Sequence, residues 1–177
     1  MNKELNKIVQ VRNYASKYTP IPLSSENYSY KYLTSFDYEE DINTILQSIY
    51  KKLPDWTNAP TMEDIHKRFD VGSSLILQYY NGKISGWFWG CPFYADDYYT
   101  KINDLPKGVV YCGATYVIKD IASRIAGAHL YSYSIGFYLK KYDCIYSWMD
   151  DWNIAPIKLC LKCGGEINEW ISCLSEV

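Results

Sequence analysis

An excess of charge of one sign is the first thing this chain lacks: 18 lysines and arginines stand against 20 aspartates and glutamates, a formal net charge of -2. A nucleic-acid surface needs a broad positive field, so this balance argues against nucleic acid as a partner. Histidine is scarce, with only His66 and His129. Cys160 and Cys163 have zinc-like spacing, yet a structural zinc site takes four ligands, and no second close cysteine pair or histidine pair exists to complete one. Most of the six cysteines sit in apolar, strand-like or helix-like stretches, so we read buried thiols rather than disulfides or metal ligands. The longest apolar run, from Gly86 to Ala95, falls far short of the roughly 20 residues a membrane-spanning helix needs, and the polar start Met1–Lys7 has no signal-peptide core. These absences predict a soluble, cytoplasmic protein without a membrane span. Internal repeats and low-complexity segments are missing as well.

What the chain does have is aromatic side chains and enough apolar mass for one core. Tyrosine occurs 19 times and tryptophan 6 times, and 48% of the 177 residues are hydrophobic, which predicts a single domain over 1–177. Leu5, Ile8 and Val9 suggest a short leading helix in an N-terminal extension, 1–27, whose prolines keep the stretch after Tyr18 extended. The alternating tyrosines from Tyr28 predict a strand. Ile42, Ile45, Leu46, Ile49 and Leu53 repeat at i, i+3, i+4, i+7 behind a cluster of acids, which predicts a helix with those acids at its positive end. Thr61 and Asp64 have the spacing of a capping box and predict a second helix. Asn81-Gly82 between two aliphatic and aromatic runs predicts a tight hairpin. After it come a strand near Val109–Ile118, a helix from about Ile125, a strand at Cys144–Met149, a helix after Asn153 stopped by Gly164 and Gly165, and a last strand from Glu166. Strand–helix alternation forces some parallel pairing and the hairpin is antiparallel, so the sheet is expected to be mixed.

One stretch carries chemistry. Small residues at Ala126, Gly127 and Ala128, between a strand and a helix, let a pyrophosphate approach backbone amides at the positive end of that helix, and Arg124 can pair with a phosphate. Close helix-to-sheet packing is the competing explanation. His129, just inside the helix, is within reach of a phosphate or else a surface imidazole.

The run Arg124-Ile125-Ala126-Gly127-Ala128-His129 after hairpin and strand, followed by another strand and by Asn153, Leu159 and Gly164, resembles the GNAT acyltransferase superfamily from about Tyr28 to Gly165. The resemblance implies an α/β (α+β) fold with a mixed, mostly antiparallel sheet, one splayed parallel strand pair, and helices on both faces. It implies an acyl-CoA, acetyl-CoA first among them, as co-substrate with no metal, and a small amine or amino-acid amine as acceptor. By the same resemblance residues 124–129 cradle the pyrophosphate, the main chain of Tyr116, Val117 and Ile118 holds the pantetheine arm, and Asn153 holds the pantetheine or its carbonyl. Three departures stand out: Pro156 falls where the family has alanine, Gly165 where it has phenylalanine, and Cys160 where a tyrosine commonly protonates the departing thiolate. Cys160 is thus a candidate acid, with a buried core residue as the alternative. The strand before the loop has no carboxylate, so Asp150, Asp151, Asp96 and Asp97 are the candidate bases. Trp87, Trp89, Cys91 and Phe93 alternate onto one side of their strand, as a core or as an acceptor pocket. Only some ten residues follow Gly165, where the family fits two strands. Either the sheet is one strand short, or the N-terminal extension completes it, or a partner subunit does so in a homodimer. Two further functions remain open: a long-chain N-acyl amino acid synthase-like enzyme fed by acyl carrier protein, and a silent GNAT-fold module that binds CoA or a protein.

Overall fold

A computed structural model gives the structure, described over residues 6–22, 27–55, 59–92, 105–121 and 125–173. The described residues form seven strands and four α-helices: β1 (Asn6–Tyr14), β2 (Tyr28–Leu33), α1 (Glu39–Lys52), α2 (Met62–Asp70), β3 (Ser74–Tyr80), β4 (Lys83–Cys91), β5 (Val109–Val117), α3 (Ala126–Tyr138), β6 (Cys144–Asp150), α4 (Ile154–Lys162) and β7 (Gly165–Cys173). The strands make one sheet in the order β2-β3-β4-β5-β6-β1-β7. Every neighbouring pair is antiparallel except β5 and β6, which run parallel. The sheet is mixed, as the order of elements predicts, and mostly antiparallel, as the family resemblance implies.

Local chemistry explains most of the elements. In α1 the side chains of Ile42, Ile45, Leu46 and Ile49 are buried along one face, with Glu39, Glu40 and Asp41 in the first turn and Lys51 and Lys52 in the last. At the start of α2 the Asp64 amide donates to the Thr61 hydroxyl (3.2 Å) and the Thr61 amide to the Asp64 carboxylate (2.7 Å), the reciprocal pair of a capping box. The β3–β4 hairpin turns on Asn81 and Gly82, at φ 50° and 75°, the left-handed pair that such a turn demands.

The expected leading helix is instead β1. Ile8, Val9 and Val11 are buried, as are Gln10 and Asn13 between and after them, because β1 lies between β6 and β7 and has helices or sheet core on both faces. A central strand reads as a short apolar cluster, and three residues at i, i+3, i+4 cannot tell it from a helix. The β-branched residues favour the strand. The sheet is therefore completed from within the chain by its own N-terminal segment. Asn13 adds a tether: its Nδ2 donates to the carbonyls of Cys160 (2.9 Å) and Cys163 (3.4 Å), satisfying two of the groups left open at the end of α4.

Two layers of helix cover the sheet. Residues of α1 and α2 pack with Leu75, Leu77, Trp87 and Trp89 on one face. Residues of α3 and α4 pack with Val9, Val11, Phe88, Cys112 and Ile145 on the other. The edge strand β2 is fastened to α3 by three ring contacts: Tyr28 stacked on His129 (centroids 4.0 Å apart), Tyr30 stacked on Tyr133 (3.7 Å) and Tyr32 tilted against Phe137 (4.7 Å). Alternate strand residues advance about 6.8 Å and every fourth helix residue about 6 Å, so the two series stay in step.

Candidate active site

The site begins where strand pairing fails. β5 and β6 pair only at Val109↔Cys144, Val110↔Ile145 and Tyr111↔Tyr146, although both strands continue. β5 stays paired with β4 as far as Val117, and β6 stays paired with β1 as far as Asp150. Each strand is held by its outer neighbour while the two diverge, and a cleft of about 250 Å³ opens between them. Gly113, Ala114 and Thr115 line it from β5, Asp150 from β6, Tyr131 from α3 and Asn153 from the start of α4.

A bulge shapes the β5 wall. Trp87 pairs with Tyr116 and Trp89 with Gly113, so two β5 residues, Ala114 and Thr115, oppose Phe88 alone. Ala114 takes a left-handed conformation at φ 50°, which costs an alanine about 1–2 kcal/mol. Bulges of this kind re-aim a strand beside functional sites. Here the bulge inverts the facing of the residues after it: Tyr116 turns toward α1, where its hydroxyl meets Ser48 (3.2 Å). The Ile118 amide donates to Ser85 on the β4 side (2.8 Å), and Val117 sits opposite Gly86. Backbone groups alternate along a strand, so of the expected trio only Val117 presents its N–H and C=O to the gap.

The start of α3 is open. Ile125 provides no side-chain cap, and the first turn carries no acid. The first intrahelical bond in from the loop is the His129 amide to the Ile125 carbonyl (3.0 Å), which leaves the amides of Ala126, Gly127 and Ala128 without a partner among the described residues. The packing explanation for the small residues holds for Ala126, which is 1% exposed, but not for Gly127. A Cβ placed at Gly127 would meet only the Leu159 side chain, at 3.8 Å. Gln78 fixes the position of this helix end: its Nε2 donates to the Ala126 carbonyl (3.1 Å), and the Ser85 hydroxyl faces Gln78 Oε1 (3.1 Å). Nothing in the sequence reading singled out Gln78; its signal was one amide inside the apolar run of β3.

Asn153 is the residue before α4, yet its side chain makes no capping bond and lies exposed at the cleft. An asparagine in that position ordinarily spends its oxygen on the helix. Pro156 is accommodated in the first turn, where its missing N–H has no helical partner to lose. Of the candidate bases, Asp150 lines the cleft and its carboxyl is raised by burial and then by the neighbouring Asp151 charge; Asp151 is half-buried outside the lining. Cys160 is fully buried among the α3–α4 core side chains, outside the cleft lining, and burial and then Cys163 push its thiol up to about 12.

One expectation is corrected. His129 is not a surface imidazole: it is buried, stacked on Tyr28, and desolvation lowers its pKa. Of the two readings of their strand, Trp87 and Trp89 follow the core one, being 2% and 1% exposed beneath α1 and α2. Cys91 is a buried thiol, as expected. Arg124, Asp96, Asp97 and Phe93 lie outside the described residues.

Among the described residues, this seven-stranded mixed sheet with one parallel pair and four helices matches the fold of solved GNAT N-acetyltransferases. The chain is similar in structure to a GCN5-related N-acetyltransferase from Sphaerobacter thermophilus, with TM-score 0.61 and 14% identity over 94% of this chain and 50% of that one. A tandem GNAT protein from the clavulanic acid biosynthesis pathway gives TM-score 0.63 and 11% identity over 94% of this chain and 52% of its own. This chain thus spans about half the length of both. An aminoglycoside acetyltransferase from an uncultured soil metagenomic sample, in complex with sisomicin, gives TM-score 0.59 and 12% identity over 85% of this chain and 96% of its own. No family model matches the sequence, and no curated protein does. No helix among the described residues is long and apolar enough to cross a membrane.

Proposed function

We propose that the chain is an acyl-CoA-dependent N-acyltransferase, with acetyl-CoA the donor and a small amine the acceptor. The observation that carries this reading is the splayed β5–β6 cleft beside three amides of α3 that have no partner among the described residues. The chain's groups suit each part of such a donor. A diphosphate matches the amides of Ala126, Gly127 and Ala128 at the positive end of α3, where Gly127 leaves room for it. The amides of a pantetheine arm match the backbone of Val117, and Asn153 has a free carboxamide for the same arm. When bound, acetyl-CoA supplies the activated acyl group.

Direct transfer requires a neutral amine, and Asp150 is the group in this reading that removes its proton, because burial and Asp151 make it a stronger base than an ordinary carboxylate. The start of α4 and the bulged backbone of β5 supply oriented dipoles where negative charge develops. The acceptor class follows from the cleft's modest size and its acidic side chain, and is supported by the aminoglycoside acetyltransferase among the similar structures. One observation favours the silent CoA-binding module: Cys160 is too buried to protonate a thiolate in the cleft.

Calorimetric titration with acetyl-CoA tests the binding half. The wild type should bind, Asn153→Ala should bind roughly ten-fold more weakly for the loss of about one hydrogen bond, and Gly127→Glu should bind at least that much more weakly again. No heat from the wild type would reject the reading. Thiol release from acetyl-CoA with hydroxylamine, a small neutral nucleophile that needs no shaped acceptor pocket, tests the chemistry; binding without release would identify the silent module.

A further inference from the structure

Acyl transfer leaves a thiolate that needs a proton, and the position expected to supply it, Cys160, is sealed in the core. A phenol stands in the same neighbourhood on a different helix. Tyr131 lies on α3 beyond its open first turn and lines the cleft together with Thr115, Asp150 and Asn153. Its ring is fixed edge-to-face on Phe88, with centroids 5.3 Å apart and planes at 89°. It packs against the cluster that contains Cys112 and Cys160. Beside it, carried by the β5 bulge, the Thr115 hydroxyl is buried within reach of the phenol.

We propose that Tyr131 is the general acid of the transfer, replacing from α3 a donor that α4 lacks, with Thr115 positioning its hydroxyl. This rests on the acyltransferase reading above. The amine nitrogen attacks the thioester carbonyl carbon and a C–N bond forms. The amine proton passes to Asp150. The C–S bond then breaks, its electron pair goes to sulfur, and sulfur takes the Tyr131 proton. The phenolate recovers a proton through water from Asp150, so the products are the amide and the free thiol with no net proton change. Burial and then the Cys160 charge raise the phenol's pKa, with the Thr115 hydroxyl beside it opposing them, so the phenol stays protonated throughout the neutral range.

The test uses acetyl-CoA with saturating hydroxylamine. Tyr131→Phe should lower kcat by about 100-fold, the low end of general-acid effects, while the calorimetric Kd for acetyl-CoA stays within about two-fold. A 3,5-difluorotyrosine placed at 131 keeps the hydroxyl but lowers its pKa, and should bring a descending alkaline limb into the kcat–pH profile at lower pH than in the wild type. A purely structural tyrosine would move neither kcat alone nor the pH limb. Tyr131→Phe with kcat within two-fold of wild type, or a difluorotyrosine profile superimposable on the wild type, overturns the assignment of Tyr131 and leaves the acyltransferase reading standing. A wild type that neither binds acetyl-CoA nor releases thiol overturns both.

Discussion

Gln78 and His129 show how single side chains set the helix end on which the site depends. Gln78 sits fully buried in β3 and spends its amide on the Ala126 carbonyl, so the first turn of α3 is held to the sheet by a hydrogen bond rather than by packing alone. His129, one turn further on, is neutral in a buried stack with Tyr28, and its Nε2 has no hydrogen-bond partner among the described residues. Desolvation lowers its pKa below the ordinary histidine value near 6.5, so the folded protein binds fewer protons there than the unfolded chain. With more protons on the unfolded state, stability must rise with pH across that interval. The contribution is complete above the unfolded value and is lost as the pH falls through it toward the folded value. Urea unfolding at pH 7.5 and pH 5 should therefore show the wild type losing more stability on acidification than His129→Phe. Equal losses in the two proteins would mean that His129 is not the titrating group.

The ring ladder between β2 and α3 works at the scale of elements. β2 is an edge strand paired only with β3, and its tyrosines are partly exposed. The ring contacts with His129, Tyr133 and Phe137 hold it against the helix whose start forms the site. Tyr30 and Tyr133, nearly parallel at 4° between ring planes, make the central rung. A double-mutant cycle with Tyr30→Leu and Tyr133→Leu should give a coupling energy of about 0.5–1.5 kcal/mol in urea unfolding, beyond what the single changes predict by addition. Strict additivity would show that the rings merely share a surface. The alternating tyrosines were visible in the sequence as a strand, and so were the α1 repeat, the Thr61–Asp64 box and the Asn81-Gly82 turn, because each is a short-range pattern with its own physical cause. The small residues around Gly127 were visible for the same reason, whereas Asn153 was singled out by the family resemblance alone. What stayed hidden depends on partners distant in the chain: β1 has no signature apart from the two strands it separates, and the left-handed Ala114 is imposed by the β4 pairing. Tyr131 looked like any other residue of an amphipathic face, since only the fold brings it to the cleft beside Thr115.

At the scale of the whole molecule, the N-terminal strand occupies a central position that decides how the sheet closes. β1 pairs along its length with β6 on one side and β7 on the other, and Asn6 at its start lies opposite Cys173 at the end of β7. β7 and β1 are therefore the two arms of an antiparallel hairpin whose connection is cut, and the covalent link instead runs from β1 through the turn at Ala15–Lys17 toward β2. That link is pinned on its near side: the Thr19 amide donates to the Cys163 carbonyl (3.3 Å), the Tyr18 hydroxyl to the Ser132 carbonyl (2.8 Å) and the Ile21 amide to the Ser132 hydroxyl (3.0 Å). Those contacts hold Tyr18 to Ile21 in place. A circular permutant that links Cys173 to Asn6, which lie opposite each other, and opens the chain within 23–26 should keep every strand pair of the described residues. It should fold to the same sheet, with a Tm within about 5 °C of the parent and unchanged acetyl-CoA binding. Deleting residues 1–14 instead strips β6 and β7 of their shared partner and buries nothing in its place, leaving open edges that promote aggregation. Circular dichroism and size-exclusion chromatography distinguish the two variants. A soluble, monomeric deletion with native ellipticity would show that β1 is an accessory to the sheet; a permutant that fails to fold would show that the covalent link from β1 toward β2, and not strand pairing alone, closes it.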